Sequence, residues 1–394
     1  MSTVHVVVPD SVADPARPSG GNTYDRRVCA GLRDLGWDVR LHLLPGDWPH
    51  PDAGYLDGLA GTLASLPQGS VVLVDGLVAS AHPEVLLPAA GRLRIVVLVH
   101  LPLGHPLAAE AAGGPAGALP SGTADGERAV LTAAAAVLTT SGWTADWLRA
   151  SYDLAPHGIR VARPGADRAR PATGSADGSA LLTVAAVVPA KGHAELLEAL
   201  TSLPDRPWRL VCAGPLDRAP GHVARLRARC RDAGITDRVT FTGTLGGEAL
   251  DRAYAASDLV VVPSRIETYG LVVTEALARA LPVVAAAVGG LEEAMGAAPG
   301  ADQPGRLVDP GAALAGALRS WLDDPTVRER WRSAARERST TSEPWSATAR
   351  RVSDLLAEVA QVNRSRTAYV GVGAGPDPDG GRPDPAPRPE RRAP

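Results

Sequence analysis

The chain has 394 residues, enough for two domains of ordinary size that each bury a core of their own. An apolar share of 45%, a charged share of 21% and a net charge of −3 give no reason to expect nucleic acid as a general partner. Cys29, Cys212 and Cys230 lie far apart with no C-x-x-C pair, which argues against a disulfide framework and a zinc site; no run reaches the roughly 20 apolar residues of a membrane span.

The start, MSTVHVVVPDS, lacks a basic region and a long enough apolar run for a signal peptide, so a reducing, cytoplasmic location is expected. Five runs in the first half read as buried parallel strands: Val4–Asp10, Val71–Gly76, Arg94–His100, Ala136–Ser141 and Ile159–Gly165. They are β-branched and continuous rather than alternating, as strands covered on both faces should be. Between them lie helical stretches such as Thr23–Gly36, which closes on a glycine stop. Asp167–Ser179 is small, polar and proline-bearing, and reads as a linker.

A second series follows: Leu181–Val188, Arg209–Gly214, Arg238–Gly243, Leu259–Ser264, Leu281–Gly290 and Gly305–Asp309. Strand and helix alternate twice over, which predicts an α/β fold of two doubly wound, Rossmann-like domains. The expected layout is residues 1–168, a linker at 169–178, a second domain at 179–345 and a C-terminal helix at 346–362 that crosses back to the first domain with Trp345 as its anchor. The remainder, 363–394, is rich in proline, glycine and charge and is expected to be disordered. The basic helices His222–Gly234 and Val327–Arg338 read as solvated faces, consistent with at most peripheral membrane contact.

Open α/β sheets bind ligands at the carboxyl ends of their strands, so two such domains place both ligand edges at one cleft. In PSRIETYGLVVTEALARAL, Gly270 lets the backbone come close to a ligand, and the free N–H groups opening the next helix favour a phosphate. Glu267 precedes that terminus and Glu275 sits on the second turn of the helix. Carboxylates flanking a phosphate repel it, so they are expected to accept hydrogen bonds from neutral hydroxyls: a ribose on one side, a sugar on the other.

The segment resembles the E-x₇-E signature of the retaining GT-B-fold glycosyltransferases, the large family numbered four (glycosyl transferases group 1). The likeness covers nearly the whole chain ahead of the tail. It continues through Val187–Leu200, Arg209–Pro215, Arg238–Leu245, Tyr254–Glu293 and Gly305–Leu318, and in the first half through Pro18–Leu32, Val97–Gly104 and Val161–Asp167. The resemblance implies a GT-B fold and transfer of a sugar, with anomeric configuration kept, from a nucleoside diphosphate sugar to a hydroxyl acceptor. It implies that Glu275 holds the donor ribose and Glu267 the transferred sugar, with the amides of Thr268, Tyr269, Gly270 and Leu271 near the sugar ring and phosphates. Lys191 would meet the charge growing on the leaving diphosphate without a metal, no acidic cluster suited to Mg²⁺ standing in the right place. Gly20 and Gly21 would form a loop whose amides approach the donor from across the cleft, and His100 would contact the transferred sugar. Asn22, Ser141 and the Gly289–Gly290 loop are weaker cleft candidates, and Asp167 is expected at the hinge.

One departure stands out. The family's arginine five residues before the lysine is here Ala186; Arg265, Arg163 and Arg26 are the candidate substitutes. Two other readings follow from the same residues: a nucleotide-sugar epimerase of the same fold, or a donor-binding subunit that has lost catalysis. No cofactor is expected beyond the nucleotide sugar as co-substrate.

Overall fold

A computed structural model of the chain describes residues 2–14, 17–111, 122–155, 158–296, 303–309, 311 and 313–361. The tail expected at 363–394 lies outside the described residues.

Among the described residues, twelve strands form two six-stranded sheets, every pair parallel. The first contains β1 (Thr3–Pro9), β2 (Asp38–Leu44), β3 (Val71–Asp75), β4 (Arg94–Val99), β5 (Ala136–Thr139) and β6 (Ile159–Val161), in the order β2-β1-β3-β4-β5-β6. The second contains β7 (Ala180–Val184), β8 (Arg209–Ala213), β9 (Val239–Gly243), β10 (Leu259–Val262), β11 (Val283–Ala286) and β12 (Gly305–Val308), in the order β12-β11-β10-β7-β8-β9. The central strands β3, β4, β10 and β11 are buried almost throughout, because helices cover both faces of each sheet.

The reading of continuous apolar runs located eleven of these strands and passed over β2. Its sequence, DVRLHLL, alternates, and it lies at the sheet edge with Arg40, Leu41 and Leu43 exposed, so it never carried the signature of a two-faced strand. Each sheet has a point where strand order reverses: between β1 and β3 in the first, and between β7 and β10 in the second. Such reversals open a crevice at the carboxyl edge, and both crevices are occupied by the residues discussed below.

The Trp345–Gln361 helix packs on the Gly20–Asp34 helix of the first sheet's layer. Trp345 meets Tyr24 edge-on at 5.9 Å, Trp37 donates from its ring N–H to Ser353 Oγ at 2.9 Å, and Val352, Leu355 and Leu356 join the first domain's core.

Candidate active site

Lys191 and Glu267 follow the two strands that flank the second reversal, β7 and β10, and that topology brings them together across 76 residues of sequence. Lys191 Nζ donates to Glu267 Oε2 at 2.6 Å, both side chains about one-fifth exposed. Lys191 ends a short 3-10 turn, Pro189–Lys191, that Gly192 closes at φ +70. A Cβ on Gly192 would stand 1.9 Å from the Pro263 carbonyl oxygen, so only glycine lets the lysine loop lie against the end of β10. Arg265 N–H donates to the Ala190 carbonyl at 2.8 Å and ties the same loop from the other side. Gly289 and Gly290 serve the backbone of Glu267 and Thr268: Gly290 N–H donates to the Glu267 carbonyl at 2.9 Å, and a Cβ on Gly289 would fall 1.8 Å from that oxygen.

Beyond Glu267 the chain turns at Gly270, φ +100, into the Leu271–Ala278 helix. No side chain caps this helix, and the amides of Gly270 and Leu271 make no hydrogen bond among the described residues. Thr268 is half-buried; Tyr269 is buried in the core, its hydroxyl pushed up to about 12 chiefly by burial, so only its backbone is available to a ligand. Glu275 accepts from the Tyr254 hydroxyl at 2.8 Å, and burial raises its carboxyl above the usual range. Arg279 lies over the Tyr254 ring at 4.6 Å and fixes it in place. Tyr254 was not foreseen as a partner, because 21 residues and a whole strand separate it from Glu275.

On the facing side, Gly20 and Gly21 do not form a loop ahead of a helix that starts near Thr23; they are the first turn of the Gly20–Asp34 helix. Ser19 makes the difference: its hydroxyl accepts from Asn22 N–H at 3.0 Å and starts the helix three residues earlier than the poor helix propensity of paired glycines suggested. The Gly20 and Gly21 amides stay without a hydrogen-bond partner among the described residues. A Cβ on Gly20 would lie 3.3 Å from Leu271 Cδ1, so two open helix N-termini confront each other across the cleft. A Cβ on Gly21 would stand 3.3 Å from the His100 ring.

His100 follows β4 and its Nε2 is 2.9 Å from Asp25 Oδ1, on the Gly20–Asp34 helix. Asp75, the last residue of β3, completes a group whose ligand-type atoms all lie within 4.8 Å of one another, the one such group among the described residues. Burial works against the charged ring, but Asp25 and then Asp75 outweigh it and push His100 up to about 9. Burial, and then the Asp25 charge, push Asp75 up to about 7. Buried Glu127 pins the loop after His100, accepting from the amides of Leu103 and Gly104 at 3.0 and 2.9 Å and from Tyr152 at 2.6 Å. The sequence offered a clue to Asp25, which stands one helical turn after Gly21, but none to its meeting with Asp75.

The weaker candidates have structural roles. Asn22 donates to the carbonyls of Ser11 and Arg17, at 2.8 and 2.9 Å, and braces the loop before its helix. Ser141 caps the Gly142–Tyr152 helix through Thr144 N–H at 3.0 Å. Asp167 pairs with Arg27 beside the linker. The three arginines considered in place of Ala186 are all engaged elsewhere: Arg265 with Glu110 at 2.6 Å, Arg163 with Glu293 at 2.7 Å, and Arg26 with the Val12 carbonyl at 2.8 Å. Two of these pairs cross the cleft. Glu293 also accepts from Gly142 N–H at 3.0 Å and Trp143 N–H at 2.7 Å, capping a first-domain helix from the second domain.

Two doubly wound parallel sheets that close on one cleft, with open helix termini on both walls, define the GT-B architecture. Sucrose-phosphate synthase from Thermosynechococcus elongatus superposes with a TM-score of 0.69 at 21% identity, over 94% of this chain and 100% of that one. Anabaena HepE, solved in complex with UDP and glucose, gives 0.71 at 17% identity over 91% of this chain and 100% of that one. Residues 167–338, most of the second domain, match the family model described as glycosyl transferases group 1. The chain is 34% identical over 255 residues to a D-inositol 3-phosphate glycosyltransferase of Kineococcus radiotolerans, a match covering 58% of each chain. A similar protein of Catenulispora acidiphila is 36% identical over 230 residues, covering 53% of this chain and 54% of that one. The chain thus spans little more than half the length of the curated relatives it matches.

Proposed function

We propose that the protein is a retaining glycosyltransferase that moves a sugar from a nucleoside diphosphate sugar to a hydroxyl acceptor without a metal ion. The observation that carries the reading is the Lys191–Glu267 pair at 2.6 Å beside the uncapped N-terminus of the Leu271–Ala278 helix. An ammonium and free backbone donors suit a diphosphate, and a carboxylate next to them suits the hydroxyls of the sugar it carries. Glu275, held by the Tyr254 hydroxyl at the second turn, is the carboxylate assigned to the ribose in this reading. In the reaction the bond from the anomeric carbon to the diphosphate oxygen breaks, and a bond to the acceptor oxygen forms on the same face. The acceptor proton passes to the departing phosphate oxygen. Lys191 and the helix amides stabilise the charge that grows there, and so act more strongly on the transition state than on the bound donor.

HepE was solved with UDP and glucose, and the relatives carry the name D-inositol 3-phosphate glycosyltransferase; both favour a sugar nucleotide as donor. Among the described residues no helix is long and apolar enough to cross a membrane, which fits a reaction at a water-accessible cleft. The test is a thermal-shift screen of the purified chain against UDP-, GDP- and ADP-sugars, followed by assays of transfer and donor hydrolysis with and without EDTA. Stabilisation by one nucleotide class, with chelator-insensitive turnover, is expected. Conversion of a donor to its epimer with no acceptor present would overturn the transferase reading, as would donor binding with neither transfer nor hydrolysis. Loss of activity in EDTA restored by Mn²⁺ would overturn the metal-free part.

A further inference from the structure

On the second-domain wall Lys191 is the cation in contact with Glu267, and Ala186, five residues before it, supplies no charge. The first-domain wall holds a charged group that the sequence did not announce. We propose that Asp25 and Asp75 are positioning residues that hold His100 as an imidazolium at the lip of the cleft, so that the first domain supplies the second positive charge for a bound diphosphate. This rests on the donor-cradle reading above and adds a part to it.

The geometry has three components. First, the Asp25 side chain is 2% exposed and directs Oδ1 at His100 Nε2, while its Oδ2 has no hydrogen-bond partner among the described residues. A buried carboxylate so placed is compensated by a cation in contact with it, and the imidazolium is that cation. Second, Asp75 is 3% exposed and lies in the same group, with one oxygen taken by Leu77 N–H at 2.7 Å. Burial and then the Asp25 charge hold a proton on Asp75 up to about pH 7, and above that Asp75 adds a second negative charge beside the ring. Third, the His100 side chain is 14% exposed, and Nδ1 makes no hydrogen bond among the described residues. With Nε2 committed to Asp25, the remaining N–H is the one available to a ligand. The ring packs over Gly21 and edge-on against Tyr24 at 5.4 Å, and the neighbouring Gly20 faces Leu271 at the opposite helix terminus. Tyr24, Asp25 and Asp75 are the titratable groups against the ring; Tyr24, buried and pushed far up, stays neutral.

The same three residues could also surround a metal ion, which would take a ring-nitrogen lone pair and displace the proton between His100 and Asp25. Titration and metal binding tell the two arrangements apart.

Ring signals of ¹⁵N-histidine-labelled protein, with His100 identified by its loss in His100→Gln, would be followed from pH 6 to 10. His100 is expected to titrate near pH 9, and Asp25→Asn to lower that midpoint by two units or more. Titration at an ordinary histidine value, or a midpoint unmoved by Asp25→Asn, would overturn the proposal. The wild-type titration decides the point even if Asp25→Asn fails to fold. Inorganic pyrophosphate binding, measured by calorimetry at pH 7.5, is the second readout. His100→Gln and Asp25→Asn are each expected to weaken it about tenfold, with the double variant no weaker than either single one, as for residues acting as a unit. If Lys191→Ala weakens pyrophosphate binding and the other two do not, the positioning proposal fails while the donor cradle stands. If none of the three weakens it, the cradle itself is wrong. Binding of one equivalent of Zn²⁺ or Mn²⁺ to the wild type, lost in Asp75→Asn, would make the group an ion site and sink the proposal.

Discussion

Lys191 and Glu267 share a single hydrogen bond in the cleft, and that contact gives each charged group a partner. Lys191→Ala is expected to leave the fold intact, because the side chain is one-fifth exposed and packs into no core cluster. Turnover should fall about a hundred- to a thousandfold, the usual loss of one preorganised donor, and toward the larger figure because Ala186, five residues before the lysine, offers no second cation. Steady-state kinetics beside a thermal melt would check both halves of the expectation. His100 and Asp75 give a residue-scale prediction about stability. Both have folded-state values above their unfolded ones, about 9 against 6.5 and about 7 against 3.8. A raised value means that the folded state binds the proton more tightly, so this stability is complete at low pH and is lost as pH rises. Asp75 acts between about pH 4 and 7, and His100 between about 6.5 and 9. Denaturant unfolding at pH 6.5 and pH 9.5 should therefore show a fall on the order of 3 kcal/mol from His100. His100→Gln should flatten it; an equally steep fall in that variant would count against the assignment.

At the scale of elements, short glycine-closed turns decide where the chemistry sits. Gly192 packs on the Pro263 carbonyl and Gly289 on the Glu267 carbonyl, so the lysine loop, the glutamate loop and the loop after β11 are built against one another. Gly192→Ala would have to hold a left-handed backbone at φ +70 and displace β10 from a contact of 1.9 Å. The expected cost is about 2–4 kcal/mol of stability, with Lys191 moved away from Glu267 and donor binding lost in step. A denaturant midpoint within experimental error of the wild type would show that the turn can relax. The helix elements were legible in sequence only where propensity and context agreed. The Leu271–Ala278 helix was read from the glycine turn that opens it, whereas the Gly20–Asp34 helix was started too late because Ser19 capping outweighs two glycines.

For the whole molecule, the cleft is closed by contacts that belong to neither domain alone. Glu293 caps the Gly142–Tyr152 helix and pairs with Arg163; Arg265 reaches Glu110; Arg218 donates to the Pro18 carbonyl at 3.3 Å. Burial alone would raise the Glu293 carboxyl, yet the two amides and Arg163 hold it below its usual range, so it stays charged across neutral pH. Glu293→Gln keeps the shape and removes that charge, and should weaken closure by about 1–3 kcal/mol. Small-angle scattering should show a larger radius of gyration in the variant, with each domain's own unfolding unchanged. An unaltered radius would mean that the remaining contacts hold the cleft without it.

The amino-acid sequence by itself determined the parallel α/β character, eleven of the twelve strands and the pairing of Glu267 with a helix terminus. These depend on patterns within about 20 residues: strand-length apolar runs, a glycine before a helix, a carboxylate ahead of it. Lys191, which follows a strand and so stands at the ligand edge of the sheet, was marked by the resemblance to a glycosyltransferase family. Only the tertiary structure decided that Tyr254 holds Glu275, that Asp25 and Asp75 meet behind His100, and that Glu293 bridges the domains. Each of these joins residues from separate strands and helices, and their distance is set by strand order. A reversal between β1 and β3 brings the first-domain group together, and one between β7 and β10 brings Lys191 to Glu267. Strand order is a property of the packed sheets and leaves no periodic trace in any one segment, which is why the partners of the site, unlike its glutamates, had to be seen in space.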